Sequence, residues 1–282
     1  GCGGYGTASW AAADWDAPDR AWISGAEMSS WIYRKPVGND SHLVAWLEVR
    51  LWSGGAVEVL PWIENGYIRV AAPTSKSETY SFALSGTLRF SAAIDLPSRC
   101  RTPLVSGSTL SHWLDTDPAV VCKHDAAYLM ATRLVPRYAA NVAPSSALVS
   151  SLPGSYAPLQ QGGYPTTMGT AGYHPSIGLL PEWDVLHLTS TASTTYGAVQ
   201  RQAYSAGRYP IHFRDEQTNR ALRYSAFPKT SVNNSSTSDY PPTASGTKGA
   251  TWALSHAPSI GFMAYLVTGR HYHLESLQFA AT

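Results

Sequence analysis

The chain has 282 residues, of which 44% are hydrophobic and only 14% charged, and its formal net charge is +1. This balance predicts a sizeable core and excludes intrinsic disorder. The near-zero charge gives no electrostatic footprint for nucleic acid or an anionic membrane, and no apolar run approaches the roughly 20 residues of a membrane span. The 10 Trp and 16 Tyr, with many uncharged polar residues, are typical of extracellular glycan-handling proteins.

The first 19 residues are expected to be irregular. The chain starts at Gly1 rather than Met, which predicts a processed product or a fragment. Its three cysteines, Cys2, Cys100 and Cys122, form no CxxC pair. They leave room for one disulfide, but three unpaired structural cysteines are the favoured interpretation.

Residues 20–138 are predicted to form a β-sandwich-like domain with a terminal helix. Apolar residues alternate with others from Leu43 to Trp52, which is the period of a strand. Gly54-Gly55 then predicts a turn and 56–64 the partner strand. Further alternation on both sides of Ser85-Gly86 predicts a second hairpin.

A short helix over 125–135 is predicted to close this domain. Asp125 is a suitable N-cap and Pro136 ends the pattern. Residues 139–172 are rich in Pro, Gly and Ser, so we expect a connector that marks the domain boundary.

Residues 173–282 are predicted to be mainly helical, and they contain an internal repeat. Pro175-Ser176-Ile177-Gly178 recurs as Pro258-Ser259-Ile260-Gly261, and each copy is followed by two helical patterns. Repeated helical hairpins bury their apolar faces by stacking on neighbours. Because the second copy runs to the chain end, we expect further chain or a partner protein to complete the helical domain.

Five segments carry a resemblance to known proteins. They are 124–129 (HDAAYL), 132–138 (TRLVPRY), 178–184 (GLLPEWD), 209–216 (YPIHFRDE) and 256–269 (HAPSIGFMAYLVTG). With the order of the domains, they resemble uncharacterised bacterial and phage-encoded carbohydrate-active proteins, of which exo-rhamnogalacturonan-lyase-like proteins are the nearest named group. The resemblance implies a multidomain α+β fold: an N-terminal antiparallel β-sandwich followed by the first helical hairpins of an (α/α) toroid. It also implies polysaccharide handling.

Two histidines lie at equivalent points of the repeat. His174 and His256 precede corresponding helices, so in a toroid they are expected on one rim, where the substrate cleft lies. His256 is a candidate for proton transfer, since imidazole titrates near neutral pH, and His174 for substrate binding. The alternative is that both histidines bond backbone or pack on neighbours.

The densest polar run, 209–216, supplies three further catalytic candidates. His212 is a candidate acid–base group, Arg214 a clamp for a sugar carboxylate, and Asp215 a proton donor to a glycosidic oxygen. The favoured alternative is an internal network of Arg and carboxylates that fixes the loop.

Trp183 and Asp184 form a candidate sugar subsite at the start of a helix. A sugar ring would stack on the indole, and the acid would bond its hydroxyls. A core Trp beside an acid placed for the helix dipole is the competing interpretation.

No nucleotide-binding, metalloprotease or serine-hydrolase motif is present, so no cofactor and no metal are predicted. The leading hypothesis is a lyase or glycoside hydrolase of an extracellular polysaccharide. The alternative is a virion or cell-surface component that binds glycan or builds an assembly without turnover. Both hypotheses imply an extracellular, periplasmic or virion-surface location.

Overall fold

A computed structural model describes residues 1–139, 144–164, 174–190, 192–230, 242–252 and 259–281. The fold is α+β, with antiparallel sheets and short helices. The strands are β1 (Arg20–Ser24), β2 (Met28–Val37), β3 (Asp40–Trp52), β4 (Val57–Glu64), β5 (Lys76–Leu84), β6 (Thr87–Leu96), β7 (Arg101–Pro103), β8 (His112–Trp113), β9 (Arg214–Asp215) and β10 (Arg220–Ala221). The helices are α1 (Ala126–Ala131), α2 (Ser146–Ser151), α3 (Glu182–Thr189), α4 (Ser193–Tyr204), α5 (Phe262–Thr268) and α6 (His271–Ala281).

The main sheet has the strand order β1-β2-β3-β4-β7, and β8 also pairs with β4. The predicted alternation and Gly-Gly turn are confirmed: β3 and β4 pair antiparallel, with Trp46 opposite Trp62. Gly55 at the turn has φ +86°, a conformation that costs glycine little. The last residue of β3, Trp52, therefore stands at the same end of the sheet as the start of β4.

One face of the main sheet packs against the β5–β6 hairpin. Leu43 and Ile63 share an apolar core with Tyr80, Phe90 and Ile94 of the hairpin. These sheet residues occupy odd-numbered positions, which point to one side because side chains alternate along a strand. The two sheets thus face one another across a common core.

The opposite face of the main sheet packs against the helical region. Trp46 and Trp62 stack at 5.7 Å, and Tyr204 of α4 and Tyr272 of α6 lie in the same core. The indole of Trp62 meets the Tyr272 ring edge-on at 5.6 Å. The two units predicted as separate domains therefore share buried surface.

Helices form where they were predicted, with shorter or shifted bounds, but the expectation that 173–282 is mainly helical is wrong: the described residues between α4 and α5 carry β9, β10 and short 3-10 turns. Asp125 caps α1 by accepting a hydrogen bond from the Tyr128 N–H at 2.9 Å. This helix ends at Ala131, before Pro136, because Arg133 adopts a left-handed conformation with φ +62°. The repeat yields the two helix pairs α3–α4 and α5–α6. Its glycines differ, however, since φ is +156° at Gly178 and +72° at Gly261.

The described part of the predicted connector, within 139–172, is partly buried rather than lying on the surface. It contains α2, and Tyr156 forms a β-bridge with Gly107 of the β region. Tyr156 is buried in the core between sheet and helices, and Tyr164 in the core of the helical region. This segment therefore contributes one buried tyrosine to each of these two cores.

Candidate functional site

Arg214 lies at the centre of a buried ionic network that joins three distant elements. From β9 it reaches Glu64 at the end of β4, with Nη2 2.9 Å from Oε2, and Glu275 on α6, with Nη1 2.9 Å from Oε1. Arg101 of β7 donates to the same Glu275 at 3.0 Å. Burial opposes charge on the guanidinium, but Glu275 and Glu64 outweigh it and raise the pKa of Arg214. The structure places Arg214 as an internal link between the sheet and α6.

His212 is also fully buried. Its Nδ1 lies 3.1 Å from the Arg99 carbonyl and 3.0 Å from the Tyr209 carbonyl, so Nδ1 carries the proton and donates. Burial and the nearby charge of Arg101 hold the pKa of His212 well below its usual value. The ring packs edge-on against Phe279 at 5.1 Å. The structure therefore places a neutral imidazole where the sequence predicts an acid–base group.

Asp215 fixes the turn between β9 and β10. Its carboxylate accepts hydrogen bonds from the Thr218 hydroxyl and the Gln217 N–H, both at 3.2 Å. Arg69 also donates to Asp215, at 3.3 Å. The predicted proton donor is thus engaged in local bonds, as expected for a turn that an acid stabilises.

Trp183 and Asp184 lie inside the helical core. Trp183 meets Tyr164 edge-on at 5.0 Å, and only 1% of Asp184 is exposed. Burial raises the pKa of Asp184 to about 7, although the N–H of Met263 in the first turn of α5 lowers it in part. Asp184 therefore lies near the first turn of α5, although neither of its oxygens is within normal hydrogen-bond geometry of a donor among the described residues. A sugar stacked on Trp183 would need this core to open.

Only one of the two histidines predicted on the toroid rim, His174, lies among the described residues. His174 is half-buried, and its carbonyl accepts a hydrogen bond from the Ile177 N–H at 3.0 Å. His256 lies outside the described residues. Their shared position on a toroid rim stays a prediction.

A cleft of about 960 Å³ opens elsewhere, between the main sheet and α4. We call it the sheet–helix cleft; its aromatic lining is Trp52, Trp113 and Tyr196, and its charged lining is Arg50, Arg89, Arg201, Arg270, Glu58, Asp115 and Asp117. None of the described candidates predicted from the sequence lines it. Clefts of this size with aromatic walls and a few polar groups are the usual sites of ligand binding.

The sheet positions two tryptophans in the lining of the cleft. Trp52 is the last residue of β3, and Trp113 of β8 pairs with Glu58 of β4. Their rings lie 6.3 Å apart with an angle of 33° between the planes. Trp52 is half-buried and Trp113 is buried, so Trp52 is the more accessible of the two as a stacking platform.

Two of the arginines that line the inner end of the cleft form ion pairs. Arg50 donates from Nε to Glu48 at 2.7 Å, and Arg270 donates to Glu58. Burial alone would raise the pKa of Glu58, but Arg270 and Arg50 keep it below its usual value. Glu58 is therefore ionised at neutral pH and cannot serve as a general acid there.

Arg201 of α4 completes this inner wall and differs from its neighbours. It donates to two backbone carbonyls, that of Ser108 at 2.9 Å and that of Pro153 at 3.3 Å. Within the described ranges it contacts no carboxylate, and burial lowers the pKa of Arg201. The cleft thus carries a cation whose charge no acid of the described chain neutralises.

Sequence reasoning missed the cleft residues, although one signal was present. Even-numbered positions of β3 carry Trp46, Glu48, Arg50 and Trp52, a mixture of indoles and charges on one face. A solvated face rarely carries so many large aromatics. The mixture indicates a covered face with a polar site at its edge, but it does not identify Arg201, which comes from α4.

Other kinds of site find no support in the described part of the chain. No three His, Cys, Asp or Glu side chains gather there as a metal site requires, and its three cysteines are free. No helix there has the length and apolar character to cross a membrane. Comparison with protein-family models, with curated proteins and with solved structures found no match for this chain.

Proposed function

We propose that this protein binds a glycan in the sheet–helix cleft and holds it without turnover. The observation that carries the proposal is the pair Trp52 and Trp113, whose rings lie 6.3 Å apart in the lining of a cleft that also holds Arg201 and Arg270. Sugar rings stack their apolar faces on indoles, and their hydroxyls bond charged and polar groups. Binding is favoured over catalysis because Glu58 is held by Arg270 and Ser111, and His212 and Arg214 are engaged internally.

Finer features of the fold belong to the same proposal. The two sheets that share a core support a β-sandwich-like N-terminal region, and the two helix pairs support the opening part of an (α/α) toroid. An extracellular, periplasmic or virion-surface location fits a glycan ligand. A resemblance to carbohydrate-active proteins fits it as well.

Replacing Trp52 with alanine is expected to weaken glycan binding about tenfold, since the loss of one stacking platform corresponds to about 1.4 kcal/mol. Binding is measured by titration calorimetry, after a glycan array has selected the ligand. Trp15→Ala is the matched control, because Trp15 is exposed and lies outside the cleft. It should bind like the wild type.

Two results would count against this proposal. If no glycan binds, or if Trp52→Ala and Trp15→Ala bind equally well, the cleft is not a glycan site. If incubation with the selected glycan releases reducing ends, the protein is an enzyme, and binding without turnover is wrong.

A further inference from the structure

Arg201 differs from four other arginines between the sheet and the helices because each of those four contacts a carboxylate. Arg214 contacts Glu64, Arg101 contacts Glu275, and Arg270 contacts Glu58. Arg50 contacts Glu48 in the same way. Each of these buried cations is paired, as burial of a charge normally requires. Arg201 is only 8% exposed and contacts no carboxylate among the described residues.

Unused hydrogen-bond donors accompany this charge. A guanidinium carries five N–H groups, and Arg201 uses one toward Ser108 and one toward Pro153. The Nε of Arg201 is buried without a hydrogen-bond partner, and so is Nη1 of Arg270 on the same inner wall. A buried donor that has no hydrogen-bond partner destabilises the folded protein. An acceptor supplied by a ligand would remove that penalty.

We propose that the inner end of the sheet–helix cleft binds the carboxylate of an acidic sugar, with Arg201 as its ion partner. This inference rests on the proposed glycan binding and names the class of glycan. A guanidinium fork matches a carboxylate with two parallel hydrogen bonds. The aromatic pair Trp52 and Trp113 in the same cleft then holds the neighbouring sugar rings.

The other charges of the cleft limit how acidic the glycan is. Glu58, Asp115 and Asp117 line the same cleft, so four arginines face three carboxylates. Like charges brought together in a binding site oppose association. A densely sulfated chain is therefore disfavoured, and a polysaccharide with acidic sugars spaced among neutral ones fits best.

The test compares each uronate-containing oligosaccharide with its carboxyl-reduced form, which keeps the sugar backbone and removes the charge. Titration calorimetry of the wild type is expected to give at least about tenfold tighter binding of the uronate form. Arg201→Gln should abolish this preference while the reduced form still binds. Arg223→Gln is the control, because Arg223 is exposed and outside the cleft. It should keep the preference.

Salt supplies a second measurement that needs no variant. Raising the salt concentration should weaken binding of the uronate form and leave the reduced form unchanged, since only the former involves a charge. Dextran sulfate and neutral dextran form a further arm, in which tighter binding of the sulfated chain would overturn the assignment to a carboxylate.

The outcomes separate the two proposals. Equal binding of charged and reduced forms, with Arg201→Gln like the wild type, overturns the acidic-sugar inference and leaves glycan binding intact. Binding of neither form, together with a negative glycan array, overturns glycan binding and this inference with it.

Discussion

Replacing Arg214 with methionine is expected to lower the free energy of unfolding by about 3–5 kcal/mol, because it leaves buried carboxylates uncompensated. Glu64 and Glu275 both depend on this guanidinium, and Arg101 alone would have to balance two negative charges. Urea denaturation measures the loss. Arg223→Met, at an exposed position close to β10, is the control and should change stability by less than about 0.5 kcal/mol.

This experiment also decides between the two interpretations of Arg214. If Arg214→Met folds with wild-type stability but loses activity or binding, the guanidinium acts on a ligand and the predicted catalytic role stands. If stability falls as expected, its role is to join β4, β9 and α6.

Replacing Asp184 with asparagine is expected to stabilise the protein at pH 8. Burial raises the pKa of this carboxyl from 3.8 to about 7, so the folded state binds a proton that the unfolded state has released. The raised pKa therefore lowers the free energy of unfolding at high pH. This loss of stability is absent below pH 3.8, grows as the pH rises and is complete above pH 7. Its size is on the order of 2–4 kcal/mol, and asparagine avoids it because it stays neutral.

The measurement is urea denaturation of the wild type and Asp184→Asn at pH 5 and pH 8. The advantage of the variant should be larger at pH 8. Asp16→Asn, at an exposed position, controls for the general effect of removing a negative charge. A variant that is less stable than the wild type by the same amount at both pH values would show that the charged carboxylate is needed at the start of α5.

Local patterns predicted the local structure well. The alternation before Gly54-Gly55 gave the β3–β4 hairpin, and the short polar side chain of Asp125 gave the start of α1. Both features depend on residues close in sequence, where strand period and N-capping operate. The two helix pairs followed from the repeat for the same reason.

The candidate site depended on contacts that no local pattern contains. In 209–216 the alternation of apolar and polar residues indicates an exposed polar face, yet His212 and Arg214 are as buried as Ile211 and Phe213. Their partners come from β4, the 97–100 turn and α6. A buried polar face covered by a distant element has the same sequence pattern as a solvated face, so the sequence could not distinguish them.

The cleft was missed for a related reason. Trp52 ends β3, Trp113 lies in β8 and Arg201 lies in α4, and only the packing of α4 on the main sheet brings them together. From the abundance of Trp, composition predicts that some indoles line a ligand site, and this stays a prediction. It could not say which of the 10 tryptophans line a cleft and which fill a core.

The ionic network around Arg214 has a consequence for the order of folding during synthesis. Arg101 pairs with Glu275, and the two are 174 residues apart along the chain. Glu64 meets Arg214 across a separation of 150 residues. Until α6 leaves the ribosome, the sheet carries charged side chains on a face that has no cover, and closing such long loops is slow. We therefore expect the main sheet to stay loosely packed until α6 docks on it, with that docking as a late step in the folding of this part of the chain.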